Sequence, residues 1–525
     1  MRIKLLTLVN LLIAFFAVSS AFANPLSAPS HLQESFDQTV IQALDTFAIP
    51  GMSVGVVYQG KVVKLQGYGL RDFTQPEQVD RDTYFRLAST SKAFTAAAMA
   101  KLVSEGKVDW QDKVIEHFPE FRMQDHWVTG EFRILDLFTH QSGLVSGAGD
   151  AMLWPEPTGF SREEIFANMA HLTPVTSFRS AYAYNNLMYM VAGEIIAKVS
   201  GVPFAEYIDT HFFKAMDMTC FAGDMDINKY NNLASSHGDI DGEVFAIPRN
   251  GIFGKELVSA AAGGMVCNAS NMVRWLQVLL NHGQTATGEQ IIDGAQLDYM
   301  WRSHTNLNVS SDDRRRDDTH FKTYGIGWRK ADVYGFEVIS HTGTLSGVQA
   351  YVASVPELEL GVVLLNNGSN SAARGAIMQT ILKGFMPDAP QIDWIADYQQ
   401  WMKDAEARYY ARLKLPVGTG EVNLPIIDYQ GEFKDAWYGN VVLSLTENQL
   451  QISFDKMENL NGTLIPFRDH TFEVDWQNKN AASRALLVFD VDANGEVTGF
   501  KLQPFNAKVP ANHNWRDMHF IKQVE

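Results

Sequence analysis

Only two cysteines, Cys220 and Cys267, occur in the 525 residues. No Cys/His cluster has the spacing of metal ligands. A disulfide-stapled scaffold and a structural zinc site are both excluded. For the two cysteines themselves, one disulfide and two buried thiols stay equally open. Positive charge is scarce as well: 43 Lys and Arg against 60 Asp and Glu give a formal net charge of −17. A surface that acidic repels polyphosphate and anionic lipid, so nucleic acid and membrane are excluded as partners. There is no internal repeat or low-complexity segment, and beyond the N-terminus no apolar run is long enough to cross a bilayer. With 46% hydrophobic and 11% aromatic residues, disorder is excluded too, and the length predicts two or three domains.

The N-terminus carries the one long apolar stretch. Arg2 and Lys4 precede Leu5 to Val18, and Ala21-Phe22-Ala23 offers a small-x-small cleavage site before Asn24. Residues 1–23 read as a secretory signal peptide, which predicts a periplasmic or secreted protein with no stable membrane insertion after cleavage. An uncleaved anchor is the alternative; the short run and the cleavage site favour the leader. No cysteine stands near that site to take a lipid.

Further on, residues 31–47 have helical periodicity. Ser53–Tyr58 and Lys61–Tyr68 flank Gln59-Gly60 as a β-hairpin. From 110 to about 281 the pattern is mostly helical, with helices over Ile134–His140, Leu187–Val199 and Asn268–Leu280. Strands return at Phe336–Ser340, Gln349–Val355 and Leu360–Asn366. Two strand regions bracketing helices predict an α+β domain whose sheet is built from both ends. The mixed-sign run Asp312–Asp318 reads as a solvated loop. Residues 393–413 read as a polar connector helix. Beyond it, short β-rich runs such as Val441–Leu445, Leu450–Phe454, Thr471–Val474, Ala485–Phe489 and Val497–Leu502 predict a small antiparallel barrel or sandwich. Asp490–Gly495 reads as a hairpin turn, because Lys501 stands where a calcium loop needs its bidentate glutamate.

The chemistry centres on Ser89-Thr90-Ser91-Lys92, where an extended run turns into an alanine-rich helix. Lys92 falls one turn after Ser89 on the same face, which places an amine beside a hydroxyl at a helix N-terminus. That is a setting for a serine nucleophile, although Ser-x-x-Lys alone is common. Two further stretches give it weight: Tyr182-Ala183-Tyr184-Asn185-Asn186, and Ser340-His341-Thr342-Gly343-Thr344.

Together the three resemble the motifs of the serine β-lactamase and penicillin-binding-protein superfamily, in the branch of class C β-lactamases and their relatives. Thr139-His140-Gln141-Ser142-Gly143-Leu144, Ala262-Gly263-Gly264-Met265 and Tyr324-Gly325-Ile326-Gly327-Trp328 follow in family order, so the resemblance covers residues 35–380. It implies a β-lactamase-like fold, an antiparallel sheet flanked by helices plus a helical subdomain, over residues 24–385. A helical linker over 386–418 is expected next, and Tyr429-Gln430-Gly431-Glu432-Phe433 with Leu464–Phe472 resemble the lipocalin-like barrel appended to some exported members of this family, over 419–525. The family resemblance also implies that Ser89 is acylated and that Lys92 and Tyr184 shuttle its proton; a tyrosine base needs its pKa lowered by Lys92. Asn186 binds substrate and fixes Lys92, and the backbone N–H groups of Ser89 and Thr344 form an oxyanion hole. His341, Thr342 and Gly343 complete the substrate-binding set, Gly343 by letting the strand approach closely. No metal and no cofactor are implied.

Histidine at 341, where many members have lysine, resembles the D-aminopeptidase and esterase-like branches and is a weaker carboxylate anchor. The expected activity is hydrolysis of small D-amino-acid-containing peptides or amides, or of esters, through an acyl-enzyme. A β-lactamase or D-Ala-D-Ala carboxypeptidase is the alternative within enzymes, and a non-catalytic sensor of cell-wall fragments the alternative outside them.

Overall fold

The computed structural model describes residues 29–240, 243–248, 257–412, 415–478, 484–505 and 515–523. The leader read in residues 1–23 lies outside them. An eight-stranded antiparallel sheet forms the centre. Its order is Lys61–Gly69, Gly51–Tyr58, Leu360–Asn366, Val348–Val355, Phe336–Leu345, Arg329–Val333, Lys322–Tyr324 and Thr305–Asn306. The N-terminal hairpin turns at Gln59-Gly60 and pairs with Leu360–Asn366, Val56 opposite Val362. The sheet is therefore closed across some 300 residues of intervening chain.

The three middle strands Gly51–Tyr58, Val348–Val355 and Leu360–Asn366 are buried almost throughout. They read as unbroken apolar runs because both faces are covered. On one face lie the helices Glu34–Thr46 and Ser371–Gly384, with Phe36, Val40, Leu44, Ile377 and Ile381 in a common core. On the other lie Lys92–Ser104, Leu187–Ser200 and Ala269–Leu280 with the rest of the helical region. Asn268 caps the last of these through Asn271 N. Leu187–Ser200 stops at Gly201 in the left-handed region (φ 78°).

One expectation is corrected. Asp312–Asp318 is not a free loop but a helix, Ser311–Asp317, and its charges are used. Arg315 and Arg316 pair with Asp397, Asp312 accepts from Trp401 Nε1 (2.7 Å), and the Arg316 guanidinium lies 3.9 Å from the Tyr398 ring centre. All three partners sit on the helix Trp394–Arg412, so the cluster docks the connector.

The C-terminal region is a closed eight-stranded barrel. Gly431–Asp435, Gly439–Thr446, Gln449–Phe454, Gly462–Arg468, Thr471–Trp476, Ala485–Val491, Val497–Pro504 and Phe520–Lys522 each pair with the next, and the last returns to the first. Alternating inward residues fill it; Phe433, Phe489, Phe500 and Phe520 pack against one another, mostly tilted or edge to face, with the last two stacked at 4.7 Å. Asp490–Gly495 lies at a hairpin as expected: Asp490 and Val491 end one strand, and the turn follows with Asp492 N donating to Glu496 O (2.9 Å).

Candidate active site

The run leading to Ser89 is pinned before it turns. Phe85–Arg86 pairs with Val266–Cys267, Leu87 N donates to Met265 O (2.8 Å), and Cys267 is disulfide-bonded to Cys220. The backbone then bends at Ala88 (φ 47°), a left-handed conformation unusual for a residue with a Cβ, into a 3₁₀ turn, Ala88–Ser91, and the helix Lys92–Ser104. Ser89 is left half-exposed, whereas Lys92 is fully buried.

Phe336–Leu345 runs close beside this turn. A Cβ on Gly343 would meet Leu87 O at 2.4 Å and the Ala88 Cβ at 3.0 Å. Gly343 therefore lets its strand approach the nucleophile's own backbone. From behind, Arg374 donates to Gly343 O (2.8 Å) and Ala350 O (3.2 Å) and so fixes this strand and its neighbour together.

Lys92 Nζ donates to Asn186 Oδ1 and to Ala262 O, both at 2.6 Å, between the rings of Tyr184 and Tyr189. The Ala262 carbonyl is available because Ala260–Gly264 is a π-turn, which explains why Ala262-Gly263-Gly264 belongs with the site. Burial draws the Lys92 pKa down to about 7, against the pull of Asp150 and with some help from Arg329. Asn186 stands at the N-cap of Leu187–Ser200 but caps nothing. Its Nδ2 instead donates to both carboxylate oxygens of Asp150, at 3.0 Å each. Asp150 is fully enclosed, and burial pushes its pKa up to about 7, although Asn186 and Lys92 act the other way.

The Tyr184 hydroxyl is buried near Ser89, without hydrogen-bond geometry to any described residue. Its pKa does not fall as a tyrosine base requires; burial raises it, and Arg329 and Ser89 offset only part of this. Its ring lies 4.3 Å from that of His140, whose Nδ1 accepts from Asn185 N (3.1 Å). Burial, with the cations Lys92 and Arg329, holds His140 neutral.

His341 is fully buried. A carbonyl can only accept, so Nδ1–H donates to Thr342 O (2.7 Å) and Nε2 accepts from the Tyr324 hydroxyl (3.0 Å). Burial, then Arg329 and Lys92, hold its pKa well below the ordinary value. The cation beside the half-buried Thr342 is Arg329, whose Nη1 donates to Thr342 Oγ1 (3.3 Å) and whose guanidinium is 5.7 Å from the Tyr184 ring centre. Among the described residues Arg329 has no carboxylate within ion-pair distance, and Thr344 is exposed at the same edge.

The structure thus gathers Ser89, Lys92, Tyr184, Asn186, Thr342 and Gly343 around one point. His341 stands behind it, bonded away. Asp150, Arg329 and Arg374 were not singled out by sequence, and His140 entered only as part of the Thr139–Leu144 stretch, without a role. For Asp150 the available signal was a lone carboxylate before the apolar run Ala151-Met152-Leu153-Trp154. Elsewhere, Asp112, Glu116 and His117 converge within metal-binding reach, but His117 bonds Asp112 (2.9 Å) and Glu116 accepts from Lys113 N.

Residues 36–382 match the Beta-lactamase family model, and residues 418–520 match a domain of unknown function, DUF3471. Among curated proteins, the unguisins hydrolase ungD' of Aspergillus campestris is 25% identical over 460 residues, 83% of this chain and 82% of its own. Protein flp of Staphylococcus aureus is 24% identical over 346 residues, 64% of this chain and 63% of its own. Among solved structures, an octameric penicillin-binding protein homologue from Pyrococcus abyssi superposes with a TM-score of 0.60 at 19% identity. It covers 93% of this chain and 99% of that one.

Proposed function

The chain belongs to the β-lactamase family of serine hydrolases, and from that premise we propose that it cleaves small D-amino-acid-containing peptides or amides, or esters, through an acyl-enzyme at Ser89. The observation that carries this reading is the pairing of a half-exposed serine with an enclosed lysine whose pKa lies at about 7. Neutral Lys92 takes the Ser89 proton as Oγ attacks the carbonyl carbon. The backbone N–H groups of Ser89 and Thr344 receive the oxyanion. Tyr184, protonated because it is buried, passes a proton to the departing amine or alcohol. Water then releases the acyl group by the reverse transfers.

Arg329 favours substrates that carry a free carboxylate on the leaving side, since its guanidinium, beside Thr342, has no carboxylate partner among the described residues. That observation gives weight to a carboxypeptidase acting on D-Ala-D-Ala peptides. The leader supports action in the periplasm or outside the cell, and N-terminal sequencing of the exported protein should begin at Asn24.

A panel of a D-alanine anilide, a D-Ala-D-Ala peptide, a short-chain ester and a cephalosporin tests the reading, with Ser89→Ala and Arg329→Gln beside the parent chain. Ser89→Ala should abolish cleavage in a folded protein. Arg329→Gln should raise KM about tenfold or more for the carboxylate-bearing peptide and much less for the ester, any effect on Lys92 and Tyr184 being common to both substrates. Turnover by Ser89→Ala would sink the proposal.

A further inference from the structure

We infer that Asp150 is a positioning residue of this reaction, holding the Asn186 amide with its oxygen toward Lys92, and that the C-terminal barrel supports it through Tyr438. The inference rests on the Ser89 acyl-enzyme reading.

An amide can present either end to a neighbour. Ionised, Asp150 has no proton to donate, so its two oxygens, each 3.0 Å from the amide nitrogen, accept from it and leave Asn186 Oδ1 as the end facing Lys92. Were the amide reversed, N–H would confront N–H and Lys92 would lose one of its two acceptors. Lys92 is also faced by Tyr184 and Tyr189, and its field includes Arg329, His140 and His341. Asp150 is the carboxylate among these groups.

The loop carrying Asp150 is laced to the Tyr184–Asn186 stretch: Gly147 N donates to Tyr184 O (2.8 Å) and Asn185 Nδ2 to Ala148 O (3.0 Å). The next residues belong to the barrel's footprint. Tyr438, fully buried in the turn between the first two barrel strands, donates its hydroxyl to Ala151 O (3.2 Å). Asn168 Nδ2 donates to Trp437 O, Gly159 N to Lys456 O and Asn459 Nδ2 to Glu156 O, while Lys456 pairs with Glu164. Glu156 is itself held by Arg86 and Ser259. One edge of the barrel therefore grips 151–168, beginning one residue after Asp150.

The test follows Ser89 phosphonylation by a fluorophosphonate in the full chain, read by intact mass across pH. In this step the Oγ–P bond forms, fluoride leaves and Lys92 takes the proton, so no knowledge of the natural substrate is needed. Asp150→Asn should slow labelling about tenfold or more. It should also move the acid limb of the rate profile to lower pH, because the carboxylate that raises the Lys92 pKa is gone. A merely structural role would slow the reaction without moving the limb. Tyr438→Phe, which deletes one hydrogen bond, should slow labelling about two- to fivefold. Asp150→Asn labelled at the parent rate with an unmoved limb overturns the role of Asp150. Tyr438→Phe at the parent rate overturns that of the barrel. If Asp150→Asn does not fold, Asp150→Glu replaces it: slower labelling supports the inference and the parent rate overturns it. A parent chain that takes no label removes the Ser89 reading itself, and this inference with it.

Discussion

At the scale of single residues, the site is a contest between burial and charge, and burial wins at Lys92, His341, Tyr184 and Asp150, though not at Arg329. Burial lowers Lys92 and His341, raises Tyr184 and Asp150, and leaves the lysine and the aspartate both poised near neutrality. A base must be unprotonated to act, so acylation should climb with pH through about 7, and a stopped-flow pH profile reads the limb directly. Tyr184→Phe should lower kcat about 100-fold with little change in that limb, since the tyrosine serves as a proton donor. A limb that moves or disappears in this variant would assign the base to Tyr184 instead. That Ser89, Lys92, Tyr184 and Asn186 belong together was legible beforehand, the first two from the Ser-x-x-Lys spacing and the others from the resemblance of their stretch to a family motif. Asp150 and Arg329 were not, because what marks them is enclosure and the partners they lack or share, which only the folded chain displays. His341 shows the limit from the other side: its place in the motif was plain, but its ring turns inward to Tyr324.

At the scale of elements, the hairpins and the helices were readable from periodicity and turn residues, since local pattern and final environment agree there. Asp312–Asp318 was misread because its charges look solvated until the connector helix is placed against them. Asp397→Asn should loosen that helix by about 1–3 kcal/mol, seen as faster hydrogen exchange over 394–412, because Arg316 is then left buried without its anion. The nucleophile turn offers a sharper case. Gly343→Ala forces the strand away from Leu87 O, and should cost about 1–3 kcal/mol of stability in a chemical melt while removing most activity. The Cys220–Cys267 bond closes a separation of 47 residues beneath the same turn. Its reduction should lower stability by about 3–4 kcal/mol in a melt compared with and without reductant.

At the scale of the whole molecule, the apolar interior runs unbroken from the helical side of the hydrolase into the barrel, through Phe160 and Tyr438. The barrel is in this sense a wall of the catalytic domain, which its strand pattern, legible in advance, gave no means of seeing: a period-2 run reports its own sheet and not what that sheet leans on. The central sheet has a consequence of another kind. Its second strand waits for Leu360–Asn366, the two separated by the whole of the helical region. Contacts that distant are slow to form and cannot exist on a partly made chain. Ser89 emerges early in synthesis, yet the strand that sets Gly343 against its turn arrives some 250 residues later. The order of the sequence therefore acts as a clock: the serine is present early, and the hydrolase site comes into being only once Leu360–Asn366 has been made, about two-thirds of the way along the chain.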